Sequence, residues 1–287
     1  MSKDFFKVIF ISREKMMIEQ TKCKLCGNKE GKELLNVSDC SDTYLDYMGL
    51  DYSSSNRFYK QCNSCGFVFR SVYLSELEKE RLYSCFRDDA LRNENHEEYF
   101  KRISNMPVEN SENGEKYQFL EPFLKNTGKH MDIGGGLGVF CYGFQKYFKD
   151  WSSICVEPTD GADVIAGKHG VKSYNTYLSE DSVSLVGKDF DLITANHVVE
   201  HVDDPIIFLK MLKGFVSDNG IICIEMPSAL DIGFLDKTHD RFMSQHEVIH
   251  DNKSVEFIAE KAGLRVLYNH NYVSKRGRNN VRAVLTK

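Results

Sequence analysis

His130-Met131-Asp132-Ile133-Gly134-Gly135-Gly136-Leu137-Gly138 is the stretch on which the reading of this chain turns. A short apolar approach ends on an acid, and glycines follow at 134, 136 and 138. Val139-Phe140-Cys141-Tyr142-Gly143-Phe144 then reads as the first turns of a helix. Such a turn needs backbone angles that a Cβ penalises and lets a ligand approach the main chain. The helix behind it aims free amides and its positive dipole end into the turn. A dinucleotide fingerprint, G-x-G-x-x-G, would place its third glycine at 139, where Val139 stands. The spacing is instead D-x-G-x-G-x-G.

The elements that follow alternate as a doubly wound sheet requires. Trp151 to Glu157 reads as a second strand and ends on an acid about 20 residues beyond the glycines, the position that takes ribose hydroxyls in such folds. Asp163–His169 is a helix, Val171–Tyr174 a third strand and Phe190–Ala195 a fourth, ending at Asn196-His197 on the same edge as the glycine turn. Pro205–Phe215 reads as a helix, Gly220–Pro227 as the fifth strand and Ser254–Ala262 as a helix stopped by Gly263. Leu264–Tyr268 with Val281–Leu285 closes the sheet.

Upstream, Cys23-Lys24-Leu25-Cys26-Gly27 is answered by Cys62-Asn63-Ser64-Cys65-Gly66. Two C-x-x-C turns present four thiolates, the closed shell that tetrahedral zinc prefers, so a structural zinc held by Cys23, Cys26, Cys62 and Cys65 is expected to staple a small module. Cys40, Cys85, Cys141, Cys155 and Cys223 lack such pairing and read as interior thiols. Tyr59–Gln61 and Phe67–Arg70 read as strands around the second pair. A short strand at Lys7–Ser12 is an alternative to a tail. Helices are expected from Ser75 to Tyr83, with Glu78 completing the cap, from Glu94 to Ile103 and from Gly114 to Lys125. Tyr99, Phe100, Tyr117 and Phe119 in these connectors suit core packing or a cover over the cofactor. The expected division is a zinc module at 1–75, a helical connector or lid at 76–114 and an α/β domain at 115–287.

The 287 residues, 41% hydrophobic, allow a sizeable core. A net charge of -5 gives no global basic field for nucleic acid, although Lys275-Arg276-Gly277-Arg278 is locally basic. No apolar run reaches the roughly 18 residues a membrane span needs, and charges interrupt Met1–Gln20. A cytoplasmic protein is expected, and nine cysteines with irregular spacing fit a reducing compartment.

The D-x-G-x-G-x-G turn, together with Phe190-Asp191-Leu192-Ile193, His197-Val198-Val199-Glu200-His201-Val202 and Asp204-Pro205, resembles the first and fourth motifs of the class I S-adenosylmethionine methyltransferases over roughly residues 115–287. That resemblance implies a Rossmann-like seven-stranded sheet. It also implies S-adenosylmethionine bound by Asp132, Gly134, Gly136, Gly138, Asn196 and His197, with Glu157 on its sugar. The letters H-x-x-E-H at 197–201 also match an inverted zinc-protease pattern, but Pro205 follows too soon for a long ligand helix and the match is read as accidental.

The loop from Ala229 to Asp251 carries His239, Asp240, Arg241, His246, Glu247 and His250, and sits where an acceptor must enter. Because the sulfonium methyl is already activated, the protein must chiefly align the acceptor and take its proton. His246 is the first choice as base, with His201 and His250 behind it. Zinc knuckles on this fold are similar to methyltransferases of deoxysugar and surface-polysaccharide pathways, sugar C-methyltransferases included. Those enzymes carry a further C-terminal domain and a Y-x-E-H motif, which aligns here with Met243-Ser244-Gln245-His246 and keeps only the histidine. The expectation is therefore O-methylation of a nucleotide-linked sugar or a phosphorylated capsule precursor. The alternatives are sugar C-methylation, an NAD-dependent sugar-modifying enzyme, and a non-catalytic interaction protein built on the zinc module.

Overall fold

The computed structural model describes residues 17–53, 55–85, 94–246 and 248–287. The strand expected at Lys7–Ser12, the Cys85 side chain and Glu247 lie outside the described residues. The amino-terminal part begins with β1 (Met17–Glu19), then β2 (Gly31–Asn36), α1 (Thr43–Met48), β3 (Phe58–Cys62), β4 (Val68–Arg70) and β5 (Val72–Leu74). β1 pairs with β5, and β2, β3 and β4 form an antiparallel meander. Among the described residues three connecting helices follow: α2 (Glu76–Cys85), α3 (His96–Ser104) and α4 (Glu112–Leu120).

Caps set where these helices start. Ser75 and Glu78 exchange side-chain and backbone hydrogen bonds ahead of α2, as the S-x-x-E spacing predicts. The side chains of Asn95 and Ser111 accept from Glu98 N and Gly114 N at 2.9 Å, so α3 and α4 each begin a residue beyond these caps. α4 ends earlier than the expected Lys125, because Pro122 has no amide to donate and the chain tightens into a 3-10 turn at Glu121–Phe123.

The larger part runs β6 (Gly128–Ile133), α5 (Val139–Tyr147), β7 (Trp151–Val156), α6 (Ala162–Lys168), β8 (Lys172–Tyr174), α7 (Val183–Val186), β9 (Phe190–Asn196), α8 (Pro205–Phe215), β10 (Val216–Pro227), β11 (Val248–Ile249), α9 (Asn252–Ala262), β12 (Arg265–Val273) and β13 (Asn279–Thr286). Seven strands form one sheet in the order β12-β13-β10-β9-β6-β7-β8. β8, β7, β6, β9 and β10 pair in parallel, while β13 is antiparallel to both β10 and β12. Covered on both faces, the central strands are apolar almost throughout: Leu192, Ile193, Ala195, Ile222, Ile224 and Met226 are all buried.

Two strands run well past their expected bounds. β10 starts at Val216, before Gly220, and passes through a register shift between Val216 and Ile221 that the apolar pattern does not reveal. β12 continues to Val273 as an edge strand whose exposed and half-buried residues carry no clean alternation. Strand order reverses between β6 and β9, so a crevice opens at their carboxyl ends, where open parallel sheets bind ligands. β11 belongs to neither hairpin of this sheet. It pairs with β4, Val248 opposite Phe69, and completes a four-stranded sheet in the order β11-β4-β3-β2.

Candidate active site

The glycine turn leaves β6 with Gly134, Gly136 and Gly138 all at positive φ, 66°, 56° and 77°. Gly138 is also the N-cap residue of α5. A Cβ at Gly134 would come within 2.5 Å of Val198 Cγ2, so the turn lies hard against the segment after β9.

Asp132 sits beneath the turn, 2% exposed. Its Oδ1 accepts from Thr194 Oγ1 and, at 3.5 Å, from Asn196 Nδ2. Burial pushes this carboxyl up to about 7, against the pull of the Thr194 hydrogen bond and the Lys116 charge. Below it the fully buried His130 lies between Ser153 Oγ at 2.7 Å and Thr194 Oγ1 at 2.8 Å. With the Thr194 proton on Asp132, its oxygen takes Nε2–H of His130, and Nδ1 accepts from Ser153. Burial pulls this imidazole down to about 3, so it stays neutral.

Glu157 follows β7 as expected, but its carboxylate turns back to the turn: Oε2 accepts from Gly136 N at 2.8 Å, and Oε1 accepts from Thr159 N and Oγ1. It does not line the cavity at this edge, and neither does Gly138. That cavity, about 400 Å³, runs from Asp132, Gly134, Gly136, Asn196 and His197 to His201, Gln245 and His246. Tyr44 of α1 and Tyr99 of α3 also line it, whereas Phe100 and Tyr117 are buried in hydrophobic clusters.

Two buried acids support its floor. Glu225 of β10, 1% exposed, receives Lys116 Nζ at 3.0 Å and the Arg282 guanidinium at 2.6 Å. Burial alone would raise its carboxyl, but Lys116, Arg282 and His197 hold it down at about 2. Glu200, 0% exposed, accepts from His197 Nδ1 at 3.2 Å. Burial opposes its charge too, yet the His197 hydrogen bond and the neighbouring imidazoles hold it at about 2. His197 adopts φ 56°, a left-handed conformation a histidine takes only where its surroundings impose it. Its amide donates to Glu225 O at 2.7 Å and its Nε2 lies 3.6 Å from that carboxylate.

The segment after β9 is not a helix with two histidines on one face. Val199–His201 form a single 3-10 turn, which sends His201 toward the loop that follows β10. That loop is pinned by Arg241, 3% exposed, which donates to Ser228 O, Asn279 O and the Asp231 carboxylate. His201 Nδ1 meets Gln245 O, and His246 Nδ1 lies 3.3 Å from Arg241 O. The two rings stand 5.1 Å apart. Burial pulls His246 down to about 3. His250 is elsewhere: it packs edge-on to Phe67 with Nδ1 3.2 Å from Ser254 Oγ, and it does not border the cavity.

Glu200 enters a motif search only as part of the H-x-x-E-H stretch, whose protease match is accidental, while Lys116, Glu225 and Arg282 escape one. Their signal is subtler, because Ile-Cys-Ile-Glu-Met at 222–226 and Val-Arg-Ala-Val at 281–284 each place a charge in an otherwise apolar central strand. Such a charge survives burial only with an opposite partner.

The four cysteines of the two C-x-x-C turns converge, with Cys23 Sγ 3.6 Å from Cys65 Sγ and Cys26 Sγ 3.4 Å from Cys62 Sγ, and all four sulfurs within 4.8 Å of one another. Tetrahedral Zn–S bonds of ~2.3 Å put neighbouring sulfurs ~3.8 Å apart, so this donor set fits the ion. Cys141, Cys155 and Cys223 are buried free thiols, and Cys40 is half-buried. No described helix is long and apolar enough to cross a membrane.

The strand order, the crevice at the β6/β9 switch and the glycine turn define the α/β fold of class I methyltransferases. A family model described as a methyltransferase domain matches residues 65–269, and the chain belongs to that family. An uncharacterized methyltransferase of Schizosaccharomyces pombe is 27% identical over 116 residues, which cover 37% of this chain and 42% of that relative, so less than half of its length is matched. The solved coclaurine N-methyltransferase bound to N-methylheliamine and S-adenosylhomocysteine shares the fold with a TM-score of 0.52 and 10% identity, over 71% of this chain and 82% of its own. A 1,6-didemethyltoxoflavin-N1-methyltransferase of Burkholderia thailandensis, solved with bound 1,6-didemethyltoxoflavin and S-adenosylhomocysteine, gives a TM-score of 0.52 and 14% identity over 83% of this chain and 98% of its own.

Proposed function

We propose that this chain transfers a methyl group from S-adenosylmethionine to a hydroxyl of a small polar acceptor. The observation that carries the reading is one continuous cavity joining the Asp132–Gly136 turn to the His201–His246 pair. S-adenosylmethionine, when bound, supplies a methyl already activated by its sulfonium. The residues of the chain hold and align. Asp132, Gly134, Gly136, Asn196 and His197 take the amino-acid and nucleoside portions, and Glu157 takes the ribose once its carboxylate swings from the Gly136 amide. The acceptor hydroxyl lies against His201 and His246; His246 is the first candidate to receive its proton, and because burial disfavours the imidazolium it must pass that proton on rather than keep it. The positioning of the acceptor supplies most of the rate.

A nucleotide-linked sugar or similar phosphorylated precursor suits the hydrogen-bonding lining, which includes Asn280 and two arginines, Arg276 and Arg278, that are paired with Glu112 and Asp240. The four-cysteine cluster is assigned a structural zinc, within an amino-terminal module at 1–75 joined by the connector 76–114 to the domain at 115–287. Calorimetric titration with S-adenosylmethionine, S-adenosylhomocysteine and NAD tests the cofactor. The first two should bind and NAD should not; binding of NAD alone would remove the reading.

A further inference from the structure

The histidine pair at the acceptor end of the cavity has a third member. Glu200 is 0% exposed, and its Oε2 has no hydrogen-bond partner among the described residues. One ligand atom from each of Glu200, His201 and His246 falls within 4.8 Å of the others. A buried carboxylate oxygen with nothing to accept is costly unless a cation or donor comes to it.

The histidines are oriented by what holds their other nitrogens. His201 Nδ1 and His246 Nδ1 each face a backbone carbonyl, Gln245 O and Arg241 O, which can only accept. Each Nδ1–H can be donated to its carbonyl, and a ring that is neutral in that tautomer turns an Nε2 acceptor the other way. A ring whose Nδ1–H is tied to a carbonyl is how proteins fix an imidazole as a metal ligand. His201 Nε2 lies 4.0 Å from Glu200 Oε1.

We propose that Glu200, His201 and His246 hold a divalent first-row transition cation, such as Mn²⁺ or Zn²⁺, at the acceptor end of the cavity. Two imidazoles and one carboxylate leave coordination positions open, unlike the closed four-cysteine shell. The H-x-x-E-H letters contribute to this site differently from the protease pattern: His197 is turned to Glu225 and Glu200, and the second histidine comes from the loop after β10.

The inference rests on the methyl-transfer reading and refines it, because His246 then acts as a ligand. The acceptor hydroxyl oxygen occupies an open position on the cation, which acidifies it. Its O–H bond breaks and the proton passes to solvent water. The oxygen's electron pair forms the new O–C bond while the C–S pair returns to sulfur, giving a neutral thioether and one released proton.

The test uses full-length protein with its cysteines loaded with zinc, titrated with Mn²⁺ and followed by the electron paramagnetic resonance of free Mn²⁺. Wild type should take up one Mn²⁺ per chain. Glu200→Gln and His246→Gln should each weaken that binding about tenfold or more, with S-adenosylmethionine affinity within about twofold of wild type as the control for folding. No Mn²⁺ uptake, or uptake indifferent to both substitutions, overturns the site. If a substitution disturbs the fold, wild-type protein labelled in its histidines decides. Mn²⁺ must broaden the His201 and His246 resonances first, and their persistence overturns the proposal. S-adenosylmethionine binding without Mn²⁺ binding defeats this inference alone; Mn²⁺ binding without S-adenosylmethionine binding defeats the methyl-transfer reading instead.

Discussion

The amide of Gly136 donates to Glu157 Oε2 at 2.8 Å, so the acid that closes the second strand of the α/β unit braces the glycine turn directly. Gly136 borders the cavity, and Glu157 stands behind it. Glu157→Ala should weaken S-adenosylmethionine binding by about 2 kcal/mol, roughly thirtyfold in Kd, the worth of a hydrogen bond to a charged group. Glu157→Gln keeps a carbonyl for Gly136 and should lose less. Calorimetry reads both, and an unchanged Kd in the alanine variant would take Glu157 out of the site.

Gly136→Val should abolish S-adenosylmethionine binding while leaving the four-cysteine cluster intact. Gly136 has φ 56°, and a β-branched residue is strained there by about 1–3 kcal/mol. Cofactor titration beside a zinc-content measurement checks it. Retained affinity would argue that the turn does not carry the ligand.

Asp132, pushed up to about 7 by burial, should make cofactor binding depend on pH. Below that value the free protein holds the neutral acid, and a cationic sulfonium favours the carboxylate, so binding must release a proton. Affinity should fall by up to about tenfold per pH unit below 7 and level off above it. Asp132→Asn should flatten the profile at low affinity. A wild-type affinity constant from pH 6 to 8 would show that Asp132 does not sense the ligand charge.

Glu225 should govern acid stability. Its folded value of about 2 lies below the ordinary 4.5, so its contribution is fully present above 4.5 and is lost as pH falls toward 2. The amount is on the order of 3 kcal/mol. Glu225→Gln leaves Lys116 and Arg282 buried without their counter-charge and should cost about 3–5 kcal/mol at neutral pH. It should also remove this acid dependence. Urea unfolding at pH 3 and pH 7 measures both, and a variant as stable as wild type would refute the account.

Stripping metal from the four cysteines should loosen the acceptor loop before the cofactor end. Asp42, the N-cap of α1, accepts from Ser244 N at 2.7 Å and Ser244 Oγ at 3.1 Å, tying the module to that loop. Chelation should speed amide exchange at residues 239–246, with cofactor affinity within about twofold. Exchange that stays slow there after zinc is removed would uncouple the two.

The glycine turn, the alternation of strands and the paired C-x-x-C turns were legible because each is a local pattern of adjacent residues. The α/β class followed from them, and helix starts followed from Ser75 and Glu78. What stayed hidden depends on long-range contacts. Nothing near Glu157 announces that it reaches Gly136, and nothing near Lys116 points to Glu225, which lies on a strand far along the chain. Likewise His250 looks like its neighbour His246 in sequence, yet β11 directs one into the packing beside Phe67 while the other stays at the cavity. The bulge in β10 and the length of β12 escaped because edge pairing and register shifts leave little trace in hydrophobic spacing.

Because Val248 and Ile249 supply the outermost rung of the sheet that begins with β2, the cysteine-bearing part and the part with the glycine turn are laced through each other. Neither half is a cassette that can be excised or grafted. Cutting the chain near residue 94 would bare the edge of β4 on one fragment and orphan two apolar residues on the other, so neither fragment keeps the whole four-stranded sheet.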